Sequence, residues 1–330
     1  MGKKKRDDNS VLDGVLGDGT VVRNTGSSYM VRMADGRELP CRIKGNFRIK
    51  GIRTTNPVAV GDRVEVSHAA DDACFITAIR QRKNYIIRRA SNLSRESHIL
   101  ASNLDSAVLV ASLRDPLTPL QFIDRFMATS EAYGIPAILV LNKSDIWDDD
   151  DRELAEGMSY LYTSIGYPTF IVSATTGSGL DALREATKGK ITLLAGNSGV
   201  GKSSLINALV PGLDLKTAAV SDIHHTGVHT TTFSEMVSLP YGGEIIDVPG
   251  VRGFGTLEFD AAQVSHYFPE IFRFGKECKY SDCKHIGEPG CAVVPAVEEH
   301  LIAESRYQSY LSILEEAMEE ANSDKYRKPY

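Results

Sequence analysis

The chain has no apolar run reaching the ~18 residues that a membrane span requires. Its basic start, Lys3-Lys4-Lys5-Arg6, is followed by Asp7-Asp8-Asn9-Ser10, where a signal peptide would place its apolar stretch. It has no internal repeat and no low-complexity segment. Cysteine is scarce, five in 330 residues, and an odd number of thiols argues against a disulfide framework. With 42% hydrophobic and 24% charged residues, disorder along the whole chain is excluded as well. A soluble, cytoplasmic protein of two or three domains is expected.

The net charge of −6 hides an asymmetry. Residues 1–100 carry 19 Lys/Arg against 11 Asp/Glu, a balance of +8, and the remaining residues carry 18 against 32, a balance of −14. A basic module joined to an acidic one directs any polyanion to the first third.

The chain divides by rhythm. After a basic tail, 1–13, residues 14–85 show short β-rich runs such as Tyr29-Met30-Val31-Arg32-Met33 and Arg63-Val64-Glu65-Val66. Turn signals such as Asp35-Gly36 and Gly61-Asp62 separate them. About five strands in ~70 residues suit a small OB-like barrel, and an SH3-like barrel fits the spacing nearly as well. Residues 86–104 are polar and read as a linker. From 105 to 258, apolar runs at 106–113, 136–141, 168–173 and 190–195 alternate with helical stretches near 118–133, 150–165 and 178–188. This predicts an α/β domain with a mainly parallel sheet. Residues 259–330 hold a Cys/His cluster and a long helix predicted over about 296–321.

Gly196-Asn197-Ser198-Gly199-Val200-Gly201-Lys202-Ser203 matches G-x-x-x-x-G-K-[ST], between an apolar strand and the helix-forming run that begins at Ser204. Its glycines let backbone N–H groups converge on phosphate oxygens at a helix N-terminus. Lys202 then reaches the β- and γ-phosphates, and the Ser203 hydroxyl ligates Mg²⁺. Asn142-Lys143-Ser144-Asp145, at the end of an apolar strand, resembles the N-K-x-D motif of GTPases. A carboxylate there accepts from guanine N1–H and the 2-amino group, a donor pair that adenine lacks. Ser173-Ala174 resembles the third base-contacting motif. Asp247-Val248-Pro249-Gly250 is a strand-end D-x-x-G, with Asp247 set for Mg²⁺ and the Gly250 N–H for the γ-phosphate. A hydroxyl of Thr230-Thr231-Thr232, with Thr231 the candidate, would complete the Mg²⁺ shell when GTP is bound. The threonines could equally open a strand over 231–238.

These motifs run in cyclically shifted order, with N-K-x-D and S-A before the phosphate loop. Together with Cys278-x₄-Cys283-x-His285-x₅-Cys291, Phe122-Ile123-Asp124-Arg125-Phe126 and His229-Thr230-Thr231-Thr232, the sequence resembles the circularly permuted GTPases of the RsgA (YjeQ) type over nearly its whole length. The resemblance implies GTP hydrolysis to GDP, stimulated by the small ribosomal subunit during its late maturation, by a monomer that contacts rRNA and no membrane. It also implies that Asn142 contacts the base and that Lys143 packs over it. A nucleotide-gated RNA-binding scaffold with little turnover is the alternative, favoured by Val251, which stands where many GTPases carry a water-orienting Gln. His229 is the internal candidate for that role, beside Lys202 as the catalytic cation.

One histidine and three thiolates, Cys278, Cys283, His285 and Cys291, form a four-ligand set suited to one structural Zn²⁺ per chain. In the basic third, Arg42, Lys44, Arg48, Lys50 and Arg53 surround Phe47, a pattern suited to binding RNA by phosphate contact and stacking. Arg80, Arg82, Lys83, Arg88 and Arg89 form a second basic run.

Overall fold

The computed structural model describes residues 12–24, 28–43, 57–69, 72–89, 97–213, 234–247 and 259–326. It forms two compact units. The first comprises Met1–Asp105, Gly189–Leu193 and Thr226–Pro249, and the second Ser106–Lys188, Leu194–His225 and Gly250–Tyr330.

The first unit is built on a closed five-stranded barrel. Its strands are β1 (Leu12–Asn24), β2 (Tyr29–Met33), β3 (Glu38–Ile43), β4 (Arg63–Ala69) and β5 (Cys74–Ile79). They pair in the order β1-β2-β3-β5-β4 and close through β1–β4. The β3–β5 pair is parallel and the others are antiparallel. This topology decides for the OB-like reading. Inward positions alternate with outward ones, so Tyr29, Val31 and Met33 meet Val21, Val64, Val66 and Ile76 in the core. Strand β1 reaches both neighbours by bending, with register shifts on each side. Gly19 permits the close approach, since a Cβ there would lie 2.5 Å from Val31 Cγ1.

Residues 86–104 are not a structureless linker. Strands β6 (Tyr85–Arg89) and β7 (Ser97–Ser102) pair antiparallel, with Ile86 and Ile99 buried. The second basic run is largely spent inside this unit. Arg80 pairs with Asp18 at 2.7 Å and Glu65 at 3.0 Å, and Lys83 with Asp105 at 2.9 Å. Arg82 makes two 2.6 Å bonds to Asp62, which is fully buried and also accepts from Ser102 Oγ at 2.6 Å. Arg82 is therefore a structural cation and no part of an RNA surface. The side chains of Arg88 and Arg89 lie outside the described residues.

The second unit contains β8 (Ser106–Ser112), β9 (Ala137–Asn142) and β10 (Thr169–Ile171), parallel and paired in that order. Every residue of β8 and β9 is buried, as expected of parallel strands covered on both faces. Between them run α1 (Leu120–Ala132) and α2 (Asp149–Ser164), with α3 (Leu180–Thr187) following β10. A capping box between Asp148 and Asp151 starts α2. The division between the units falls within β11 (Ile191–Ala195), which leads to α4 (Lys202–Leu209). A hairpin of β12 (Glu235–Ser238) and β13 (Glu244–Asp247) belongs to the first unit, held to β1 at Arg23↔Glu235.

The C-terminal region adds α5 (Pro269–Gly275), α6 (Val293–Glu298) and α7 (Glu304–Tyr326). The single helix predicted over 296–321 is interrupted. His300 adopts a left-handed conformation at φ 60°, with Leu301 N–H bonding Ala296 O and His300 N–H bonding Val297 O. This is a Schellman stop with histidine in the usual glycine position, and Ile302 is buried beyond it. These helices share a core with α1, where Ala128 meets Phe268, Tyr310, Ile313 and Leu314.

Arg306 fixes that packing. It is fully buried on α7, with Nε 2.7 Å from Glu270 of α5 and Nη1 2.8 Å from Asp124 of α1. Tyr162 O–H donates to Asp124 at 2.7 Å, and the guanidinium lies 4.6 Å from the centre of the Phe268 ring. Removing one member of such a cluster strands the others. Arg306→Met is expected to cost about 3–5 kcal/mol, read from the shift of the urea transition, and adding Asp124→Leu and Glu270→Met should restore most of it.

Candidate functional site

The phosphate loop follows β11 in the expected strand–loop–helix arrangement. Gly196, at φ 149°, leaves no room for a side chain, because a Cβ would lie 2.4 Å from Val110 O of β8. Gly201, at φ 94°, caps α4, and its carbonyl accepts from Leu205 N–H at 2.8 Å. The Lys202 ammonium folds back over the loop, 2.7 Å from Gly196 O and 2.8 Å from Asn197 O. Ser203 and Ser204 are half-buried in the first turn of α4, Ser198 is exposed, and Gly199 turns the loop at φ 83°. The loop thus surrounds a cation at a helix N-terminus, a setting that stabilises phosphate.

Asn142 ties this loop to the other motifs. It is 1% exposed. Its amide nitrogen donates to Val200 O at 2.9 Å, and its amide oxygen accepts from Ala174 N–H at 3.1 Å. The side chain expected to read the base thus joins three loops. A Cβ on Gly201 would lie 2.4 Å from this amide, so glycine is required there for the junction as well as for the turn. Ser173 Oγ donates to Asp145 Oδ1 at 2.6 Å and accepts from Thr176 N–H at 3.1 Å. The Asp145 carboxylate is exposed, oriented by one hydroxyl. Lys143 is left-handed at φ 70°, and its ammonium donates to Asp115 O, whose residue precedes α1. Ser144 begins a 3-10 turn after it.

Asp247 ends β13 and is half-buried. Gly250, His229 and Thr231 lie outside the described residues, as do Lys44, Phe47, Arg48, Lys50 and Arg53. Arg42 is exposed on β3.

The second constellation is in the C-terminal region. Ligand atoms of Cys278, Cys283, His285 and Cys291 all lie within 4.8 Å of one another. His285 Nδ1 is 3.5 Å from Cys278 Sγ and 3.7 Å from Cys291 Sγ. A zinc tetrahedron with Zn–S about 2.3 Å and Zn–N about 2.0–2.1 Å has S···N edges of about 3.6 Å, so the donor set fits that ion. Ala292 N–H points at Cys278 Sγ, 3.2 Å away. Burial and the neighbouring thiols push Cys283 up to about 12, so a cation is needed to hold it as thiolate. Burial lowers the His285 pKa and keeps the imidazole a neutral ligand.

Supporting contacts set the metal loop. The Glu288 carboxylate accepts from Lys284 N–H at 2.8 Å and Ile286 N–H at 2.9 Å. From α7, Tyr307 O–H donates to His285 O and Tyr310 O–H to Lys284 O, both at 2.6 Å. Sequence reading missed these tyrosines and the linking role of Asn142, because each acts on a backbone group distant in sequence. The phrase containing Asp124 carried a signal, but without its partner Arg306.

Asn142→Ala would leave Val200 O and Ala174 N–H without their buried partner. Nucleotide affinity is expected to fall by ~1–3 kcal/mol, roughly fivefold to 150-fold, measured by titration with GDP.

A family model described as the RsgA GTPase matches residues 79–257, and one described as the RsgA N-terminal domain matches residues 18–76. The chain is 58% identical to the small ribosomal subunit biogenesis GTPase RsgA of Porphyromonas gingivalis over 318 residues, covering 95% of this chain and 100% of the relative. The Bacteroides fragilis protein of that name is 56% identical over 312 residues, covering 94% and 99%. Among solved structures, YjeQ from Thermotoga maritima superposes with a TM-score of 0.74 at 33% identity, covering 92% and 98%. YloQ, described as a circularly permuted GTPase, gives 0.70 at 27% identity and covers both chains fully. With its motifs in permuted order and joined through Asn142, the chain belongs to the RsgA family of circularly permuted GTPases.

Proposed function

We propose that this protein hydrolyses GTP while bound to the small ribosomal subunit and assists that subunit's late maturation. The Asn142 junction carries the reading, since it joins the loops that hold Asn142–Asp145, Ser173-Ala174 and Gly196–Ser203, as a single nucleotide site requires. Lys202 supplies positive charge at the transferred phosphate. Asp145, oriented by Ser173, selects guanine, and Lys143 covers the base. Ser203, Thr231 and Asp247 are the residues to hold Mg²⁺, which when bound neutralises charge developing on the phosphates. Gly250 contacts the γ-phosphate, and His229 orients the attacking water. The relatives named as small-subunit biogenesis GTPases support the ribosomal assignment.

The barrel is the RNA-binding element, through Arg42, Lys44, Phe47, Arg48, Lys50 and Arg53. The ion pairs that neutralise Arg80, Arg82 and Lys83 favour this set over the second basic run. The proposed division is a barrel over 14–85, a GTPase domain over 105–258 and a zinc-binding helical domain over 259–330, acting as a monomer in the cytoplasm. Among the described residues no helix is long and apolar enough to cross a membrane. Residues 248–258, which carry the second switch, lead directly to Phe259, a member of the C-terminal core. Loss of the γ-phosphate therefore pulls on the zinc domain.

Phosphate release from GTP, measured with purified small subunits, large subunits and neither, tests the function. Stimulation by small subunits alone is expected, and equal rates in all three would overturn the reading. Reversing Arg42, Lys44, Arg48 and Lys50 to Glu should abolish subunit binding and stimulation while sparing basal hydrolysis. Wild-type binding should fall steeply with salt as counterions are released.

For the metal, purified wild-type protein should contain one zinc per chain by atomic emission. Cys283→Ala should lose it and destabilise the C-terminal region while GDP binding persists.

A further inference from the structure

Two cysteines stand apart from the metal cluster, and the fold places them side by side. Cys41 and Cys74 are direct partners on the parallel strands β3 and β5, although 33 positions separate them in sequence. Direct partners on neighbouring strands have Cα atoms at about the ladder spacing of 4.7–4.9 Å, inside the range of about 4.4–6.8 Å that a disulfide spans. Their side chains share the inner face, since Cys41 is fully buried in the barrel core and Cys74 packs against that core. Both are free thiols. Cys41 donates to Leu39 O at 3.5 Å and Cys74 to Asp72 O at 3.7 Å.

Their position matters for the barrel. The β3–β5 seam has only three rungs, Cys41↔Cys74, Arg42↔Phe75 and Ile43↔Ile76, whereas β1–β4 has seven. The thiol pair forms the first rung of this shortest closure. Its members also differ in access, since Cys74 is half-buried while Cys41 is sealed.

We propose that Cys41 and Cys74 form a reversible oxidation site, which hydrogen peroxide converts to a disulfide across the β3–β5 seam. The Cys74 sulfur attacks one peroxide oxygen. The O–O bond breaks, the thiol proton leaves with the departing oxygen as water, and Cys74 becomes a sulfenic acid. The Cys41 sulfur then displaces the hydroxyl. The S–O bond breaks, the S–S bond forms, and the Cys41 proton leaves with the hydroxyl as a second water. The two sulfurs lose two electrons and the peroxide gains them. A dithiol reverses the bond by exchange. Burial beside Cys74 pushes the Cys41 thiol up to about 12, so Cys41 acts as the resolving partner and not as the first target.

The test uses the full chain loaded with one equivalent of Zn²⁺, treated with a few equivalents of hydrogen peroxide, alkylated and digested without reductant. Mass spectrometry should find the Cys41 and Cys74 peptides linked in most chains, and dithiothreitol should separate them. In Cys41→Ala, oxidation should stop at a Cys74 sulfenic acid that dimedone captures. In Cys74→Ala, Cys41 should remain reduced. Absence of the linked peptide while Cys74 is oxidised would overturn the proposal. So would oxidation of Cys41 in Cys74→Ala at the wild-type rate.

Discussion

The junction of the three motif loops depends on one buried amide. Asn142 spends its amide nitrogen on Val200 O and its amide oxygen on Ala174 N–H, so loops after three different strands are fixed by a single side chain. Neither bond is between chain neighbours, and neither depends on the order in which the loops are reached. This is why a cyclic shift of the motifs is physically tolerable. A site held by side-chain bonds across loops survives reopening of the chain elsewhere, provided each loop still follows its own strand. The close fit of Gly196 to Val110 and of Gly201 to the Asn142 amide imposes the same condition sterically.

Charge is handled differently in the two units. In the barrel, the excess of cations is partly internal. Asp62 accepts from Arg82, Ala59 N–H and Ser102, so a buried carboxylate fixes the approach of the β6–β7 hairpin to the barrel. Cations with such partners are already neutralised and would have to give up good bonds to meet a phosphate. Composition counts every arginine equally, but only those without an acid within reach contribute to a polyanion surface.

The sequence made the alternating α/β order legible because β8 and β9 are continuous apolar runs separated by helical stretches, and the strand and helix expected on either side of Gly196–Ser203 are both present. The hairpin at 85–102 was not legible. Its apolar content, Ile86-Ile87 and Ile99-Leu100, is short and embedded in serine and arginine, and only pairing between the two pieces makes strands of them. The break after α6 carried no glycine or proline signal. The left-handed residue is His300, and the burial of Ile302 holds the turn. The tetrapeptide Asn142-Lys143-Ser144-Asp145 was marked by its resemblance to the N-K-x-D motif, yet the orientation of Asn142 was hidden, because its partners are backbone atoms that no sequence pattern marks.

The end of the chain shows how one helix can serve two tasks. Arg306 projects from α7 into the cluster with Asp124 and Glu270, while Tyr307 and Tyr310 reach the carbonyls of His285 and Lys284 in the metal loop. These residues occupy the first two turns, where α-helix geometry allows little relative adjustment. The ion cluster therefore locks α7 to α1 and α5, and the tyrosines lock the metal loop to α7. A metal held by Cys278, Cys283, His285 and Cys291 would close this arrangement from the other side, since the His285 carbonyl already accepts from Tyr307. A displacement at Phe259 or α5 cannot be absorbed by sliding α7 alone, because that would strand a buried charge and break both tyrosine bonds to the metal loop. The C-terminal region must respond as one body. The buried ion cluster and the metal loop are thus both anchored to the same helix.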